Sequence, residues 1–184
     1  MPLSYSPMEK GDKLNHLVAA WKTSNRVTEF LFENLPNELW AEQVPGAPNR
    51  TIRMIAGHIH NARCMWLKMI GGQYGIRPPK SVDRRRVTRI TLLQALKKSN
   101  KSMVEFINEA VKIETVQMKI PWSNIPPDIT HVIIYLIAHE AHHRGQIVLV
   151  ARALGHRLPE KVTDGLWQWK KRHHEVQVAN KKRS

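Results

Sequence analysis

Apolar residues return every three or four positions along four long stretches of this chain, a period that admits little but helix. Leu14, Leu17, Val18, Trp21, Thr28, Leu31, Phe32 and Leu35 form the first stripe, which ends before Pro36. The second follows Asn49, with Ile52, Ile55, Ile59, Ala62, Trp66 and Ile70 on one face and Gly71-Gly72 as its stop. The third begins near Thr91, whose hydroxyl reads as its cap, and carries Leu92, Leu96, Ser99, Met103, Phe106, Ala110 and Ile113. The fourth follows Pro126-Pro127-Asp128 and runs to Gly155, and a shorter fifth after Pro159 contains Leu166, Trp167 and Trp169. No stretch alternates cleanly about a two-residue turn, so strand signals are weak.

Four such helices bury their stripes most economically as an all-α four-helix bundle, a fold that builds metal sites from facing helices. The expected organisation is a single helical-bundle domain over 1–184, with a short C-terminal fifth helix and a flexible basic tail from about residue 172. The connection between helices two and three, Gly71 to Ile90, is long for a bundle loop and reads as a crossover or a lid. The opening MPLSYSPMEKGDKL offers no apolar segment for a signal peptide, and VIIYLIA at 132–138 is too short to span a bilayer. The expectation is a soluble cytoplasmic protein that does not enter the membrane.

The formal net charge of +14 is concentrated in two places. Arg77 to Lys101 holds nine Lys or Arg against Asp83 alone, and Gln168 to Ser184 holds six against Glu175 alone. The first segment, with Arg84, Arg85 and Arg86 at its centre, can meet phosphates of a nucleic acid or another polyanion; the simpler reading is a solvated loop. No aromatic residues interleave with these arginines, so a base-stacking platform is not supported. Cys64 is the one cysteine, which excludes an internal disulfide and a multi-thiolate metal site, so any metal must rest on His, Asp or Glu.

The octapeptide HEAHHRGQ, residues 139–146, places His139 and His143 one turn apart on the apolar face of the fourth helix. Buried imidazoles need partners, and two at this spacing can aim at one metal ion. On the second helix His58 and His60 lie on opposite edges of the stripe, so only one can join a given site. If helices two and four are neighbours, His58 can face His139 and His143, giving three nitrogen donors with positions left for water or substrate. The same octapeptide matches HExxH, in which Glu140 would act as general base; no downstream residue resembles the usual third ligand, and Glu140 otherwise reads as solvent-facing or as support to the site. Gln146, one turn beyond His143, is placed to orient a ligand or to bond across helices. Ser99 reads as bonding its own helix backbone, and Cys64 as packing.

GHIHNARCMWLKMIGG on the second helix and HEAHHRGQIVLVARALG on the fourth, with LPEKVTDGLWQW after it, together resemble the DinB family, which is related to thiol-dependent metal S-transferases. The resemblance spans Leu14 to Lys170. It implies a four-helix bundle holding a divalent metal, often nickel or zinc, on His58, His139 and His143, and a homodimer. It also implies a small-molecule substrate, attacked by a metal-activated thiol or water, with a low-molecular-weight thiol as a possible co-substrate. The competing expectation is a basic bundle that binds nucleic acid or another polyanion without catalysis. A bundle that has kept its fold and lost activity would read the same way in sequence.

Overall fold

The computed structural model describes residues 10–113, 118–120 and 124–181. Most of the opening stretch and the last three residues of the basic tail lie outside them. Four long helices form the body: α1 (Lys10–Asn34), α2 (Ile52–Ile70), α3 (Arg89–Lys112) and α4 (Ile129–Ala153). Around the bundle the order is α1, α3, α2, α4, so α2 and α4 are neighbours. A 3-10 turn (Asn37–Ala41) and a small antiparallel hairpin, β1 (Gln43–Val44) and β2 (Ala47–Thr51), connect α1 to α2. No helix among the described residues is long and apolar enough to cross a membrane.

The buried side chains fall into two apolar clusters separated by a polar layer. One cluster gathers Leu31, Phe32, Ile52, Ile55, Leu92, Leu96 and Ile147, and the other Trp21, Trp66, Ile70, Met103, Phe106, Val132 and Leu136. Thr28, Arg63, Ser99 and Glu140, one from each long helix, lie between them and are all buried. Following the clusters along each helix gives the direction of the chain: α2 and α3 both run from the first cluster to the second, and α1 and α4 run the other way. Parallel neighbours need a connection that returns the length of the bundle, which is why the 71–88 segment is long. It is a crossover, and it is fastened down rather than free to swing. Asn61 bonds both backbone groups of Val82 at 2.9 Å, His60 reaches the Lys80 carbonyl at 3.1 Å, and the Trp40 indole donates to the Val87 carbonyl at 2.9 Å.

Three boundaries differ from the sequence reading. Thr88, not Thr91, caps α3; Thr91 is its partner three residues on, each side chain bonding the other's backbone N–H. The fifth helix is interrupted into α5 (Glu160–Thr163), a 3-10 turn (Asp164–Leu166) and α6 (Trp169–Lys181). The flexible tail expected from 172 is therefore helical to Lys181. Arg172 explains the difference: only 2% exposed, it stacks its guanidinium 4.0 Å from the Phe30 ring centroid and pairs with Glu175. A Cβ on Gly165 would stand 2.4 Å from that same ring, so only glycine lets the chain turn this close to α1. Arg26 on α1 then bonds Glu175 at 2.8 Å, holding α6 against the bundle.

Candidate metal centre

His58 lies on α2 and His139 and His143 lie one turn apart on α4, so the adjacency of these helices brings the three rings together. The Nε2 of His139 stands 3.2 Å from that of His58 and 3.1 Å from that of His143. Nitrogens held about 2.0–2.1 Å from a single ion stand about 3.0–3.4 Å apart, so this spacing fits a shared ion. The site is set toward the outside of the α2–α4 pair: His143 is buried, whereas His58 and His139 are half-buried.

Hydrogen bonding fixes how one of these rings presents itself. The Gln146 Oε1 receives an Arg50 N–H at 3.2 Å and faces His143 Nδ1 at 2.8 Å. A guanidinium can only donate, so the atom it meets is the amide oxygen, and His143 Nδ1 must carry the proton. The lone pair of His143 Nε2 therefore points into the site, the tautomer a metal ligand requires. His139 Nδ1 is buried without a hydrogen-bond partner among the described residues, so any return on burying this ring comes through Nε2. One Nε2–H on His139 can serve only one of its two imidazole neighbours. A cation satisfies all three nitrogens at once, and the residues fit a divalent ion.

All three rings are held neutral. His58 is pushed down from 6.5 to about 4, first by burial, then by His143 and His139 and by the nearby Arg84 and Arg50. Burial also lowers His139, against the opposing charge of Glu140, and lowers His143, against its bond to Gln146. In the metal-free protein the unfolded chain then binds a proton at position 58 between roughly pH 6.5 and 4 that the folded chain refuses. Folding stability should accordingly fall as the pH drops through that window and level off below it. Urea midpoints between pH 7.5 and 4 check this; a wild-type slope no steeper than that of His58→Gln would contradict it.

Glu140 is a correction. It neither faces solvent nor bonds a histidine, because its carboxylate turns into the polar layer, 1% exposed, onto Arg63 and Thr28. Arg63 Nε and a terminal nitrogen donate to its two oxygens at 2.6 and 2.8 Å, and the Thr28 hydroxyl donates at 3.0 Å while accepting from Arg144 at 2.7 Å. Burial raises its pKa, but Arg63, Arg144 and Thr28 outweigh that and hold the carboxyl below the usual range. A carboxylate so engaged has no capacity as general base on a water at the histidines, which removes the zincin reading of HExxH.

Gln146 is bonded to His143 at 2.8 Å. Replacing it with Leu should lower metal affinity about 10–100-fold with helix content unchanged, measured by competition with a chelating dye. Ser99 bonds the Leu96 carbonyl at 3.1 Å and also meets His60 Nδ1 at 3.2 Å, so it belongs to the polar layer. Cys64 is buried against His60, and burial raises its thiol pKa. The basic trio separates: the Arg84 stem lies against Gly57, beside His58, while the Arg86 side chain is 90% exposed near Asp83 and Arg85 is exposed. Arg63 and Arg50 were not singled out from sequence. Arg63 falls in the register of the α2 stripe, four residues after Ile59 and three before Trp66, and a charge in that position is the signal that was available.

Fold and site together define a helical bundle with three mutually facing imidazoles, one from α2 and two from α4, that could hold a metal ion. A sequence model of the DinB family matches residues 8–175, most of the chain, and the chain belongs to that family. The family is metal-associated, and the three histidines of this chain can hold such an ion. No curated protein matches the chain.

Proposed function

We propose that this protein is a divalent-metal-dependent enzyme of the cytoplasm that acts on a small molecule, by thiol transfer or by hydrolysis. The observation that carries the reading is the gathering of three imidazoles about His139 Nε2, 3.2 Å from His58 Nε2 and 3.1 Å from His143 Nε2, with Gln146 setting the tautomer of His143. Zinc or nickel suits three neutral imidazoles, and affinity order alone does not choose between them. When bound, the ion supplies a Lewis acid that makes a nucleophile of a water or a low-molecular-weight thiol near neutral pH.

The protein's own residues supply the rest. His58, His139 and His143 hold the ion from one side and leave the solvent-facing side for substrate. Arg50 orients Gln146, and Gln146 orients His143. Tyr135 lies beside His139, ring centroids 6.2 Å apart and nearly parallel, and with Trp66 gives the site an aromatic flank. A homodimer is part of the proposal: Ile134, Ala138, Ala141, Gly145 and Leu149 leave the outer face of α4 small, apolar and exposed, a surface suited to a second copy.

The test is a screen of protein loaded with zinc or nickel, with small thiols and electrophiles and with ester and amide substrates, beside chelator-stripped protein. Turnover that needs the metal and disappears in His139→Ala is the expected result. A protein that takes up the ion and turns over none of these classes would contradict the enzymatic reading.

A further inference from the structure

The crossover between α2 and α3 does more than join them. His60 and Asn61 pin its backbone at Lys80 and Val82, and this fixes the next residues over the α2 turn that carries His58. Gly57 has room for that approach only because it lacks a side chain: a Cβ there would stand 3.2 Å from the Arg84 Cγ and 3.5 Å from its Cα. At the end of the hairpin the Arg50 guanidinium reaches Gln146, the residue bonded to His143, at 3.2 Å. Both arginines are exposed, and neither has a carboxylate within ion-pair distance among the described residues. Asp83, the acid nearest in sequence to Arg84, bonds the Arg85 backbone and lies 3.9 Å from Arg86.

A metal site with these two guanidiniums beside it is positive, and among the described residues no carboxylate pairs with either of them. Resting on the metal reading above, we infer that the substrate is an anion, a small molecule whose carboxylate or phosphate is bound by Arg50 and Arg84 while its reacting atom lies over the three histidines. Guanidiniums are suited to this task because their planar donor fork matches either group. It also gives Arg84, whose stem alone of the three packs on Gly57, a part separate from Arg85 and Arg86.

The test measures two quantities on each protein: zinc bound per chain, and the affinity of the zinc-loaded protein for inorganic phosphate and for succinate by titration calorimetry at low salt. Arg84→Gln and Arg86→Gln are the informative variants, since neither side chain touches a histidine or Gln146. The expected result is full zinc uptake by both, at least a tenfold loss of anion affinity in Arg84→Gln and less than a twofold change in Arg86→Gln. Arg50→Gln should weaken anion binding and zinc binding together, because it also holds Gln146. Preference for phosphate or for succinate then identifies which anionic group the substrate carries. Zinc uptake with equal anion affinity in wild type, Arg84→Gln and Arg86→Gln would overturn the inference and leave the metal centre standing. Wild-type protein that takes up no zinc would overturn both.

Discussion

Replacing His139 with alanine should abolish stoichiometric metal binding while leaving the helical signal intact. His139 is the ring whose Nε2 meets both others, at 3.2 and 3.1 Å, so its loss removes a ligand and separates the remaining two donors. Loss of a hydrogen-bond partner behind a ligand costs about 10–100-fold in affinity, and loss of the ligand itself should cost more than that. The side chain is half-buried and its Nδ1 has no hydrogen-bond partner among the described residues, so truncation to alanine breaks no hydrogen bond on the protein side of the ring. His58→Ala should behave alike. His60→Ala should not, because that ring bonds Ser99 and the Lys80 carbonyl instead. Metal affinity that survives His139→Ala within tenfold would mean that the ion is held elsewhere.

The largest effect on stability is expected from Glu140→Ala. It would leave Arg63, 0% exposed, and Arg144, 5% exposed, inside the bundle without a carboxylate between them. Removing one partner of a buried ion pair costs about 3–5 kcal/mol, a large part of the about 5–15 kcal/mol that holds a typical domain together. Urea denaturation measures it. Replacing both members, as in Arg63→Met with Glu140→Leu, should recover part of the loss, since the Arg63 charge goes with its partner while Arg144 keeps only its bond to Thr28. A loss below about 1 kcal/mol in Glu140→Ala would contradict the structural role, and a stable variant that had lost only activity would restore Glu140 to the chemistry.

The sequence carried the four stripes because each helix buries one face, and burial at that period writes itself into residue choice. His139 and His143 were legible for the same reason: polar rings at i and i+4 on an apolar face need a common partner. The pairing of α2 with α4, which admits His58 and excludes His60, depended on packing order and could be stated only as a condition. Glu140 was misread because its partner Arg63 is 77 residues away, while the adjacent histidines supplied a familiar pattern. The C-terminal segment was misread because a charge run near a terminus usually fits solvent. Here Arg172 covers Phe30 and Gly165 admits the contact, neither of which local composition reveals. The crossover is long because α2 and α3 are parallel, a fact about topology rather than about the loop's own residues.

Metal-edge X-ray absorption of the zinc-loaded, untagged protein tests the central claim most directly. Three imidazole nitrogens at about 2.0–2.1 Å, with the remaining scattering from light oxygen-type ligands, is the predicted result. A sulfur shell at about 2.3 Å, or a spectrum without the outer scattering of several imidazole rings, would contradict a site built from His58, His139 and His143.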